Sequence, residues 1–94
     1  MRAYKRVVVA VDPAGGSNRG NAETGIIVAG VGHDGHGYVI RDASGRHSPE
    51  RWAYTAVAAY RDHAADRIVA ERNFGGEMVE GTIRSVAPNV RFGW

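Results

Sequence analysis

The sequence predicts an α/β domain built on a mixed β-sheet, and three observations carry that expectation. Val7 to Val11 is an unbroken apolar run rich in β-branched residues, the signature of a central strand buried on both faces. Asp34-Gly35 sits between two further strand-like runs, as a hairpin turn would. Ser48-Pro49-Glu50 opens a segment with helical apolar spacing, and a short apolar run, Arg67 to Glu71, follows it.

Taken in order, Val7 to Val11 forms the first strand and is stopped by Asp12-Pro13, because proline cannot donate to a ladder. Ala14 to Thr24 is polar and rich in glycine, which reads as a loop. Gly25 to Val31 is the second strand and Tyr38 to Arg41 the third, antiparallel to it across the Asp34-Gly35 turn.

Ser48 is placed to cap a helix, Pro49 suits its first position, and Glu50 faces the positive end of its dipole. The helix body, Arg51 to Ala65, puts Ala53, Val57, Tyr60 and Ala64 on one stripe, widened by Trp52, Ala56 and Ala59. Arg67 to Glu71 is a fourth strand reached through that helix, so it is expected to run parallel to a strand already in the sheet.

Gly75-Gly76 breaks the chain, and Glu77 to Val86 has helical spacing at Met78, Val79, Ile83 and Val86. Pro88 ends that helix, and Asn89 to Phe92 begins a fifth strand. The order β-β-β-α-β-α-β is the pattern of a ribonuclease H-like fold, with strand order 3-2-1-4-5, strand 1 parallel to strand 4, and a C-terminal part expected to be incomplete.

The 94 residues give room for one domain, residues 1–94, which on folding buries roughly 60–65% of its unfolded surface. Absence of cysteine excludes disulfides, thiolate zinc sites and cysteine nucleophiles. Lys5 is the one lysine among 12 Lys+Arg, which leaves 11 arginines, against 10 acids. Arginine suits bidentate phosphate contacts, but a formal charge of +2 does not by itself indicate nucleic-acid binding. No apolar stretch approaches the roughly 20 residues that span a bilayer, and no signal-peptide core precedes Asp12. A cytoplasmic protein without a membrane partner is expected.

Asp12 and Glu71 each close an apolar strand. In the predicted topology those strands are neighbours, so the two carboxylates lie side by side at one edge of the sheet. Repulsion between them is offset by a divalent cation, and all-oxygen ligation selects Mg²⁺ or Mn²⁺ over zinc. Such ions support phosphodiester hydrolysis. Asp12 and Glu71 are therefore the candidate catalytic and metal-ligating residues, with the plainer alternative that each acid merely ends a strand or pairs with an arginine.

Asp42 ends the third strand, two strands from Asp12 and so roughly 10 Å away, where a surface acid is the simpler reading and a supporting role the sharper one. Glu23 precedes the second strand and is a candidate for support from behind the metal ligands. Arg72 and Asn73 follow Glu71 directly and, with Gly75-Gly76 opening a helix, suit contact with a phosphate. An ordinary strand-to-helix turn explains the same residues.

Other motifs carry less. Gly30 to Gly35 matches G-x-G-x-x-G, but a strand follows where a dinucleotide site needs a helix. Gly15 to Gly20 has phosphate-loop spacing, yet Asn21 and Ala22 stand where Lys and Ser/Thr are required. His33 and His36 flank the hairpin turn and read as solvated turn residues rather than zinc ligands.

Five segments in order, Val9–Ala14, Glu23–Gly30, Gly37–Arg46, Ser48–Ala53 and Ala70–Val79, resemble the C-terminal nuclease domain of the large terminase subunit of tailed phages. The resemblance covers most of the chain. It implies a ribonuclease H-like, metal-dependent endonuclease that cuts concatemeric double-stranded DNA during packaging in the host cytoplasm, partnered by the small terminase subunit and the portal. Asp12 matches that family's first-strand aspartate and Glu71 its fourth-strand acid. The family's third acid follows its fifth strand, for which this sequence has no matching position, and the ATPase domain that precedes the nuclease is not present. A truncated domain with weak or absent cleavage is therefore expected. The competing readings are a non-catalytic DNA-binding or packaging-assembly module of the same fold, and another ribonuclease H-like nuclease of the resolvase or transposase type.

Overall fold

The computed structural model describes residues 3–13, 24–46, 48–71 and 76–93. The elements are β1 (Arg6–Asp12), β2 (Gly25–Val31), β3 (Gly37–Asp42), α1 (Pro49–Asp62), β4 (Arg67–Ala70), α2 (Gly76–Val86) and β5 (Phe92–Gly93). They form one five-stranded sheet in the order β3-β2-β1-β4-β5. β1 is antiparallel to β2 and parallel to β4, and β4 is parallel to β5. This is the mixed sheet and ribonuclease H-like layout that the element order predicts.

Strand alternation sorts the residues between two faces. On one face, Val7, Val9 and Val11 of β1, Ile26 and Val28 of β2, and Ile68 and Ala70 of β4 are buried. Both helices add to the same core: α1 brings Trp52, Ala53, Ala56, Val57 and Ala59, and α2 brings Val79 and Ile83. The opposite face holds Val8, Ala10, Ile27, Ala29 and Val69, all partly exposed, and no helix among the described residues covers it. The expectation that the first strand is buried on both faces is therefore corrected. It is buried on one, and its continuous hydrophobicity leaves an apolar surface on the other.

The hairpin differs in detail from a two-residue Asp-Gly turn. Gly35 N–H donates to Gly32 O (2.9 Å) and Gly32 N–H to His36 O (2.8 Å), so His33-Asp34-Gly35 is a three-residue loop. Gly35 has φ +86°, the left-handed position that follows a type I turn in such loops and that glycine occupies without steric cost. A bulge between Val28 and Ala29 leaves Ile40 without an opposite residue on β2. The resulting switch turns Arg41 towards α1, 4.0 Å from Asp62, and Asp42 onto the uncovered face beside Ile27.

The helices also depart from their expected limits. α1 stops at Asp62 rather than Ala65, because His63 caps it and Ala64 takes φ +49°. Met78 lies off the buried stripe of α2 and is 50% exposed. β5 is shorter than expected, with Pro88 to Val90 in a turn. Arg84 fixes that turn, donating from Nη1 to Pro88 O (3.0 Å) and Val90 O (3.1 Å) while its Nε bonds Glu80 Oε2 (2.8 Å).

Candidate active site

Val11 and Ala70 are the last pair of the parallel β1–β4 ladder; Asp12 ends β1, and Glu71 is the first residue after β4. The two backbones run about 4.8 Å apart at that spacing. Alternation then fixes the side chains. Val11 and Ala70 point into the core, so Asp12 and Glu71 point to the uncovered face, and both are exposed.

The two acids border one cavity of about 450 Å³, floored by Ala10, Ile27 and Val69 and flanked by Gly25. Gly25 is the direct partner of Asp12 on β2 and puts no side chain beside that carboxylate. The result is a pair of carboxylates at the rim of an apolar trough, at the carboxyl ends of adjacent parallel strands. In open α/β sheets that edge is the usual position for ligands.

Local order behind Gly25 comes from the chain just after β3. Thr24 and Gly45 exchange two backbone hydrogen bonds, of 2.8 and 3.1 Å. Ile26 N–H donates to Ser44 Oγ (3.0 Å), and Ser44 N–H donates to Asp42 Oδ1 (2.9 Å). Hydrogen bonds from the Ser44 hydroxyl and, second, from its N–H hold the Asp42 carboxyl below the usual aspartate range. Asp42 thus serves as the cap of this turn. It lies in the row of Ile27 and Ala10, two strands and two residues away from Asp12, roughly 12 Å at standard spacings.

Glu23, Arg72 and Asn73, the other supporting candidates, lie outside the described residues. His33 and His36 are exposed at the hairpin loop, far along β2 from the acids. Among the described residues, no three of His, Asp and Glu converge in a metal-binding group. The structure therefore brings together the two acids that lead the sequence reading and keeps Asp42 apart.

What the sequence reading missed is the floor of the site. Ala10, Ile27 and Val69 were assigned to strands without a role, although the same period-2 alternation that links Ala10 to Asp12 and Val69 to Glu71 puts them on the acids' face.

The donor set is compatible with a hard divalent cation. Both acids offer carboxylate oxygens, both are exposed, and nothing soft or nitrogenous adjoins them among the residues lining the cavity. No helix among the described residues is long and apolar enough to cross a membrane. No protein-family model, curated protein or solved structure matches this chain.

Proposed function

We propose that this chain is the nuclease domain of a viral DNA-packaging terminase, a metal-dependent endonuclease fold acting on concatemeric double-stranded DNA. One observation carries the reading: Asp12 and Glu71 stand one residue beyond the Val11–Ala70 pair, on the same face, over one cavity. The sequence resemblance over five ordered segments supports it independently.

In this reading Asp12 and Glu71 hold Mg²⁺ or Mn²⁺. When bound, such an ion supplies Lewis-acid stabilisation of the phosphate and lowers the pKa of an attacking water. The protein's own part is positioning. The paired ladder sets the spacing of the two strand ends, Gly25 puts no side chain beside Asp12, and the trough of Ala10, Ile27 and Val69 gives the site an apolar floor.

The second reading is a non-catalytic DNA-binding or packaging-assembly module of the same fold. It is favoured by the convergence of two acidic residues rather than three among the described residues. The two separate in a supercoiled-plasmid nicking assay with Mn²⁺. The nuclease reading expects slow cleavage that Asp12→Asn and Glu71→Gln each abolish. Cleavage unaffected by either substitution would overturn the assignment of the site, and no cleavage at any Mn²⁺ concentration would favour the module.

A further inference from the structure

The uncovered face of the sheet is basic at the end opposite the acids. Arg6 opens β1 on the face that carries Val8, Ala10 and Asp12. Arg67 opens β4 on the face that carries Val69 and Glu71, and it pairs with Val8. Arg91 precedes Phe92, the partner of Ile68, and so falls in the row next to Arg67 on the same face. At standard spacings Arg67 lies about 5 Å from Arg91 in backbone position and about 8 Å from Arg6.

Arg67 is the informative member of this group. Its side chain lies across Gly93 of β5, so that a Cβ added there would stand 2.8 Å from Nη1 and 3.2 Å from Cδ. Its Nε is buried and has no hydrogen-bond partner among the described residues. A guanidinium nitrogen removed from water is costly unless an anion or acceptor satisfies it. Arg6 and Arg91 are exposed, and none of the three arginines enters an ion pair among the described residues.

We propose that Arg6, Arg67 and Arg91 form a binding site for the phosphodiester backbone of nucleic acid on the helix-free face. Arg67 is its fixed element, seated over the bare Cα of Gly93. The site rests on the nuclease reading for its ligand class. Charge complementarity selects the occupant: three arginines whose backbone positions lie within roughly 12 Å face a polyanion that carries a charge every ~3.4 Å along each strand of a duplex. Arg67 stands four residues before Glu71, about 13 Å along β4, so a strand held at the arginines runs over Val8, Ala10 and Val69 to the carboxylates.

The experiment is fluorescence anisotropy of a labelled 20-base-pair duplex with the full chain, in EDTA, across a salt series. Metal-free conditions keep this test independent of cleavage. Arg67→Gln and Arg91→Gln are each expected to weaken binding and to lower the slope of log K against log salt by about 0.9, one phosphate contact. Arg67→Lys is expected to keep the slope while losing affinity, because the charge remains and the planar fork is lost. Gly93→Ala is expected to behave like Arg67→Gln, by displacing the flexible end of Arg67 with the fold retained by circular dichroism.

An unchanged slope in Arg67→Gln and Arg91→Gln, with both variants folded, would overturn the proposal. Polyglutamate competing as well as DNA at equal charge would overturn its nucleic-acid commitment. Normal losses of binding in a chain that never cleaves would support this site while removing the nuclease reading. Metal-dependent cleavage with unaltered binding in all variants would do the reverse.

Discussion

Asp34 shows how a single side chain can hold a turn without being buried. Its Oδ1 accepts from His36 N–H (3.0 Å) and its Oδ2 from the Tyr38 hydroxyl (2.6 Å). The Tyr38 bond is the first cause, and the His36 bond the second, of a carboxyl pKa lowered from 3.8. The same bond raises the Tyr38 hydroxyl above 10.0. Both shifts define the pH range in which the loop is supported. Because the Asp34 pKa is depressed in the fold, its contribution is complete above about 3.8 and is lost as pH falls through the lower folded value. Because the Tyr38 pKa is raised, its contribution is complete below about 10 and is lost as pH rises through the higher folded value. Tyr38→Phe is therefore expected to move the Asp34 carboxyl back towards the ordinary aspartate range in an NMR titration, with the rest of the spectrum retained. An Asp34 titration unmoved by that substitution would show that the hydroxyl bond is not formed in solution.

At the scale of elements, α1 has the clearest local determinants. Ser48 is extended at φ −63° and ψ 160°, and its Oγ accepts from Arg51 N–H at 3.3 Å, with Pro49 at the first helical position. Ser48→Ala is expected to lower stability by about 1 kcal/mol, measured by urea denaturation, and Ser48→Asp to retain it. A loss in Ser48→Asp equal to that in Ser48→Ala would show that the cap is not the source of the effect. This start was legible in the sequence because capping is local chemistry. The end was not: Ala64 adopts the left-handed conformation that residue type associates with glycine, so nothing in the residues marked His63 as the cap. The same contrast runs through the sheet. The strand runs and the Asp34-Gly35 turn were readable, and so was the pairing that joins Asp12 to Glu71. The bulge that redirects Arg41 depends on packing of Ile40 against the core, with Tyr4 seated over Gly30 beside it, and carries no local signal.

At the scale of the molecule, the core formed by the described residues lies between the sheet and helices α1 and α2, and the opposite face of the sheet is an apolar strip with arginines at one end and carboxylates at the other. That polarity allows a test of whether Asp12 and Glu71 exist for binding or for stability. Both are exposed, so replacing either is expected to change metal-free stability by no more than about 0.5 kcal/mol, as surface substitutions usually do. A cation that binds the native state and not the unfolded chain adds about 2.7 kcal/mol at a hundred times its Kd. For a domain of this size that is a rise of about 10–20 °C in thermal midpoint. Calorimetric scans in EDTA and in excess Mn²⁺ are therefore expected to give a large midpoint shift for the native chain and little or none for Asp12→Asn or Glu71→Gln, with all three alike in EDTA. A full shift in both variants would mean that the ion binds elsewhere. A marked loss of stability in EDTA would make the carboxylates structural rather than cation-binding.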